Sequence, residues 1–304
     1  MSFPLVLPSE IQLQQIYNVL GVDEARHQHL LNRFKNWLST EKYLPQEFDE
    51  AYLSNFLLLC KDDLSKAKIK FETNLINRSS QLLSKMKFKP GIIDFNVIRQ
   101  SLILPYLTEN GCRLVFCSIP EVMEEFNLIS LLNYALNLTD ILLFEDNCSG
   151  AIIIIDFKNS SAEIVTKVDF STFVEFMKFL LSSFPHRLKN FHIINCKPII
   201  KPGLILMKSV LTDKLKNRFL IHNQPEDLLN YLPITHLPIE CGGNSFSLND
   251  LANNWKKYFQ ENHLTLTSKL SKVRVQGQIP KEKMSWDSSF SFGLDGSFRN
   301  LQVD

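Results

Sequence analysis

The stretch that most constrains this chain is AIIIIDF at 151–157, where four consecutive isoleucines make both faces of an extended segment apolar. β-Branched residues fit the pleated strand better than the helix. A strand apolar on both faces belongs in the middle of a sheet that is covered on both sides, which is the situation of parallel sheets in α/β proteins. The neighbouring pattern agrees. RLVFCSI at 113–119, NFHIINC at 190–196 and the short FLIH at 219–222 read as further strands. NLISLLNYALNLTDILLFE at 127–145 and DFSTFVEFMKFLLSSF at 169–184 read as helices between them. Alternation of this kind predicts an α/β fold with a mostly parallel β-sheet flanked by helices.

Residues 9 to about 80 have a different texture. Ser9, Asp23, Asp49 and Asp63 each precede an apolar stripe at helical spacing, and such residues cap helix N-termini. Gly21 ends the first helix. KFKPG at 87–91 breaks the helical pattern, as Pro-Gly pairs do. Three segments follow: a small helical domain at 1–88, the α/β domain at 89–264, and a tail at 265–304. Within the second, Pro202 precedes a short apolar helix, LILMKSVL at 204–211, and a further helix runs from Ser247 to about Glu261. The polar tail is expected to attach loosely, with Trp286, Phe290, Phe292 and Phe298 available to dock on the body.

Several kinds of chemistry lack their motifs. No glycine-rich phosphate loop, nucleophile elbow or paired-histidine metal helix occurs, so nothing points to nucleotide binding, hydrolysis or metal catalysis. No cofactor and no metal is expected, and the chain reads as a non-enzyme. Asp156 at the end of the central strand reads as a cap or turn residue rather than a catalytic carboxylate. The cysteines at 60, 112, 117, 148, 196 and 241 have no CxxC spacing, which reads as free thiols in a reducing compartment. MSFPLVLPSE has no basic region before an apolar core, so no signal peptide is expected. The most apolar runs, such as Leu204 to Met207, fall short of a membrane span. A soluble, cytoplasmic protein is the expectation.

Two features stand above this background. Helix 169–184 carries Phe170, Phe173, Val174, Phe176, Met177, Phe179, Leu180, Leu181 and Phe184, a stripe wider than one packed face needs. Either the core is thick or an apolar cavity lies beside the helix. Asn133 and Asn137, one turn apart on an apolar helix, would supply polar groups to such a cavity or face solvent. The second feature is charge. The chain is +1 overall, yet from Arg187 to Arg218 eight Lys/Arg face the single acid Asp213, which makes that segment +7 and the remainder −6. A basic patch beside an apolar helix suits an anionic membrane surface. It lacks the basic–aromatic interleaving of a single-strand groove, so no nucleic acid partner is expected.

FPHRLKNFHIINCKPII at 184–200 and LPIECGG at 237–243 resemble the centre of the CRAL-TRIO lipid-binding family, in the branch that holds the tocopherol transfer and retinaldehyde-binding proteins. The helical N-terminus resembles the small domain that precedes it, and GSFRNLQVD at 296–304 is similar to the tails of insect members. The resemblance implies an apolar ligand pocket closed by a gate helix at about 202–211. It places the pocket at Ala151, Ile153, Ile155, Phe176, Phe179, Leu180, Phe184, Phe191, Ile193, Met207, Val210 and Leu211, every one apolar here. It implies a phosphoinositide-binding cleft at Arg187, Lys189, Lys214 and Arg218.

The implied function is a carrier for one small hydrophobic ligand (tocopherol, retinoid or similar lipid), which it transfers at membranes with release promoted by phosphoinositide. The alternative is a lipid-responsive sensor or scaffold without net transfer. The family's DxEG strand ending reads Asp156-Phe157-Lys158-Asn159 here. Phe179 and Phe191 are larger than the usual occupants, which implies a ligand smaller than tocopherol or of different shape.

Overall fold

The computed structural model describes residues 4–122, 125–185, 187–209 and 211–284. It begins with helices α1 (Glu10–Leu20), α2 (Glu24–Thr40), α3 (Glu50–Leu59), α4 (Leu64–Asn77) and α5 (Gln81–Lys85). The caps fall where the side chains predict them. Asp23, Asp49 and Asp63 accept from the backbone N–H of Arg26 (2.8 Å), Tyr52 (3.1 Å) and Lys66 (2.9 Å). Ser9 forms a capping box, with Gln12 N–H donating to its Oγ and Gln12 Oε1 accepting from its N–H. His27 bridges Asp62 (2.6 Å from Nδ1) and Ser54 (2.9 Å from Nε2), which clips α2 and α3 to the turn where Lys61 and Asp62 take positive φ.

The sheet has five strands in spatial order β1 (Ser101–Leu107), β2 (Cys112–Ser118), β3 (Gly150–Asp156), β4 (Leu188–Ile194) and β5 (Phe219–Ile221). β1 is antiparallel to β2, and the other pairs are parallel. The AIIIIDF run lies at the centre of the sheet, as its composition predicts. β1 is not anticipated by the sequence reading; Pro105 interrupts its pattern. As an edge strand it tolerates proline, and the Pro105 carbonyl accepts from Val6 N–H (3.0 Å) and Arg113 Nη1 (2.7 Å). Between the strands run α6 (Leu128–Glu145), α7 (Ala162–Lys167), α8 (Phe170–Ser183), α9 (Lys201–Ser209) and α10 (Asp213–Lys216). Gly243 in the LPIECGG turn is required sterically, because a Cβ there would overlap the Leu237 carbonyl.

α6 is long and apolar enough to cross a membrane by length and composition, yet it is a core helix. Leu132, Tyr134, Leu136 and Ile141 are buried, and Asp140 is ion-paired with Arg78 at 2.8 Å. Tyr52 OH donates to the same carboxylate oxygen at 3.0 Å. These contacts join the helical region to the α/β region, and one continuous core runs from Leu5 to Val273.

The far end differs from expectation. α11 (Leu248–Leu270) passes through residue 264, where the sequence suggests that the tail begins. Leu266, Leu270 and Val273 are buried in the shared core. The N–H groups of Gln276 and Gly277 donate to the Tyr43 carbonyl (2.9 and 3.3 Å). In α12 (Lys281–Met284), Lys283 reaches both oxygens of Glu72 at 3.0 Å. Residues 265–284 are therefore packed against the helical region rather than loosely attached. Trp286, Phe290, Phe292 and Phe298 lie outside the described residues.

Candidate functional site

Alternation along β3 sends Ile152 and Ile154 to one side and Ala151, Ile153 and Ile155 to the other. Ile154 is fully buried, against the main core. Ile153 and Ile155 are only half-buried, although they stand on the central strand of the sheet. Phe191 and Ile193 of β4 and Phe219 of β5 share their face. Phe191 stacks on Phe219 with ring centroids 4.3 Å apart. Facing this floor are half-buried Val174, Met177 and Leu181 of α8, with Met207 of α9, buried Leu204 and Leu211, and Leu215 beyond. The result is an apolar groove with the sheet as floor, α8 as one wall and α9 as cover.

α8 explains its own excess of phenylalanine. Thr172, Phe176, Phe179 and Ser183 form one buried face, turned to the main core and the helical region. Val174, Met177 and Leu181 form a second face, turned to the groove. Leu180 and Phe173 lie between the two and join the main core.

The structure thus redistributes the residues named from sequence. Ile153, Ile155, Phe191, Ile193, Met207 and Leu211 come together around the groove, and Ala151 lies on the same strand face. Phe176, Phe179 and Phe184 do not: they pack with one another, and the Arg78 guanidinium lies 5.6 Å from the Phe184 ring centre. Asn133 and Asn137 neither line the groove nor face solvent. Asn133 donates to the Met86 carbonyl at 3.0 Å, and the Asn137 carboxamide accepts from Gly91 N–H at 2.7 Å and donates to the Asn133 carbonyl. They anchor the 86–92 connection, whose amide demand is what places asparagine on an apolar helix. Val210 lies outside the described residues. Val174, Met177, Leu181 and Leu215 join the groove without being named from sequence; the signal for the first three is the second apolar face of α8, and Leu215 comes from α10. Asp156 accepts from Lys158 N–H (2.8 Å) and Asn195 Nδ2 (2.7 Å), closing the turn after β3.

Two of the four basic residues lie on the other side of the sheet. Lys189 and Arg218 line a cleft of about 770 Å³ that also reaches Ile152, on the face of β3 opposite the groove. Arg218 donates to the Leu188 carbonyl through Nη1, and Arg187 donates to the Ser149 carbonyl at 3.2 Å. Burial, with the like charges of Arg187, Arg218 and Lys61, pulls the Lys189 ammonium below its usual value. Burial, with Arg218, does the same to Arg187. These shifts mark cations crowded together. Lys214 is exposed on α10. Among the described residues no ion pair involves Arg187, Lys189, Lys214 or Arg218. Asp213, the only acid of the segment, is held by Lys216 at 2.9 Å. Partly desolvated cations without carboxylate partners suit an anion with several oxygens.

Residues 101–243 match the CRAL/TRIO domain. The mouse (Mus musculus) protein "Alpha-tocopherol transfer protein-like" is 27% identical over 221 residues, covering 68% of this chain and 62% of that protein. The human (Homo sapiens) protein of the same description is 26% identical over 218 residues, covering 67% and 61%. The matched region therefore spans less than two thirds of these relatives' length. A solved structure, "Crystal structure of Sfh5", aligns with 80% of this chain and 99% of its own at 14% identity and a TM-score of 0.49.

Proposed function

We propose that this chain, which carries a CRAL/TRIO domain over residues 101–243, encloses one small hydrophobic molecule in the groove between sheet and α9 and exchanges it at membranes without chemical turnover. The observation that carries this reading is the half-burial of Ile153 and Ile155 at the centre of the sheet. Central strands bury both faces, and protein interiors are close-packed. Apolar side chains of the sheet, α8 and α9 that converge yet stay partly exposed are suited to a guest of matching surface. A tocopherol, a retinoid or another compact lipid is the substrate class. A cytoplasmic carrier would meet its membranes transiently.

Release is promoted at a phosphoinositide-bearing surface. Lys189 and Arg218 in the cleft, together with Arg187 and Lys214, would supply charge-assisted bonds to phosphate oxygens. A carrier that opens only at such a surface spares the ligand a passage through water. The test is mass spectrometry of an organic extract of protein purified from its native tissue, coupled to a vesicle transfer assay. One enriched apolar lipid, delivered faster to phosphoinositide vesicles and no faster once the four basic residues are alanine, supports the reading. Equal transfer by that variant removes the phosphoinositide step, and an extract with no enriched lipid removes the carrier.

A further inference from the structure

The cleft that holds Lys189 and Arg218 is not only basic. Its lining includes Val19 from α1 and Leu229 and Tyr231 from the 225–231 segment. These three are 37%, 40% and 54% exposed. They come from chain positions some two hundred residues apart and meet at one mouth. Glu109 stands on the same lining, so it offsets part of the positive charge. Charge is therefore only part of what the cleft offers a ligand. Exposed apolar side chains grouped around a cationic mouth fit a partner that presents phosphate and hydrocarbon together. Tyrosine, with an apolar ring and a polar tip, favours that boundary.

We infer that Val19, Leu229 and Tyr231 form a membrane-contacting rim, which enters the interface of an anionic bilayer while Lys189 and Arg218 engage the phosphates of one of its lipids. The inference rests on the phosphoinositide reading above and adds the face that docks. The occupant is the bilayer surface, not a free inositol phosphate. Docking would bring α1 of the helical region and the segment after β5 to the same surface, which assigns the N-terminal helices a part in membrane contact.

The experiment uses the full chain with Val19→Ser, Leu229→Ser and Tyr231→Ser combined, and Lys189→Ala with Arg218→Ala as a second variant. Each is measured against phosphatidylcholine vesicles containing a phosphoinositide, and against a soluble inositol polyphosphate. The rim variant is expected to lose vesicle affinity by about tenfold while its affinity for the soluble headgroup stays unchanged. The charge variant is expected to lose both. Wild-type vesicle binding by the rim variant overturns the inference, and so does an equal loss of soluble and vesicle binding, which would place the three side chains in the headgroup site instead. A charge variant that keeps both affinities sinks the phosphoinositide reading, whereas the rim is judged by its own vesicle arm. Leu229→Ser alone, at an exposed position, repeats the comparison if the triple variant unfolds.

Discussion

The ammonium of Lys208, on the helix that covers the groove, lies 4.7 Å from the centre of the Phe219 ring, and that ring stacks on Phe191 in the groove floor. The cover is thereby tied to the sheet through a cation over an aromatic pair, a contact of about 0.5–1 kcal/mol at a partly solvated site. Lys208→Ala is expected to speed release of a fluorescent apolar ligand into solution about two- to fivefold, with Lys208→Arg near wild type. Stopped-flow dissociation without membranes reads this directly, because it separates the tie from any attraction to lipid. An unchanged rate would mean that Lys208 holds nothing closed.

A second pair joins β4 to the residue that follows β5. His192 Nδ1 and His222 Nε2 are 2.9 Å apart, and the rings are nearly parallel. Burial, with the charge of His222, holds His192 down to about 4, and burial lowers His222 as well, against the opposing pull of Asp227. The unfolded chain takes up a proton near the ordinary histidine value of about 6.5. Between that value and about 4 the unfolded state binds more protons than the folded state, so stability rises with pH and is lost as pH falls through this window. Urea midpoints should decline from pH 6.5 to 4.5, and His192→Phe should flatten that slope. A slope that the variant leaves untouched would place the acid sensitivity elsewhere.

Lys70 of α4 reaches across to α8, donating to the carbonyls of Leu181 (2.7 Å), Ser182 (3.1 Å) and Phe184 (2.9 Å). The C-terminal carbonyls of a helix need donors, and here the helical region supplies one to the wall of the groove. Burial lowers the Lys70 ammonium to about 8. Lys70→Met keeps the side chain's length and removes the donors, and should cost about 2 kcal/mol of unfolding free energy. It should also raise hydrogen exchange at the end of α8. A loss confined to α4 would contradict the cross-region role.

Much of the fold was legible. Ser9, Asp23, Asp49 and Asp63 cap their helices because short polar side chains satisfy the first N–H groups, a rule that acts within four residues. The four isoleucines fixed the central strand. β1 was lost because Pro105 erases a strand signal that only tertiary position, at a sheet edge, restores. The site was read less well than the scaffold. α8 is apolar on two faces, so its periodicity carries no phase, and the assignment of Phe176 and Phe179 to the pocket rests on the family resemblance alone. Thr172 and Ser183, small and fully buried beside them, mark the tightly packed face. The sequence reads Asn137 as a cavity or solvent-facing residue because the Gly91 amide that it serves lies 46 positions away along the chain.

The central claim is that the face of the sheet carrying Ile153 borders a space for a guest and not a filled core. Ile153→Trp tests it most directly, with organic-extract mass spectrometry and thermal unfolding on the same sample. If the groove is a ligand site, the tryptophan occupies it: the bound lipid, about one per wild-type chain, disappears while the ligand-free variant is at least as stable as ligand-free wild type. Overpacking a filled core costs about 1–3 kcal/mol. A variant destabilised by that amount, with its lipid content unchanged, would contradict the account.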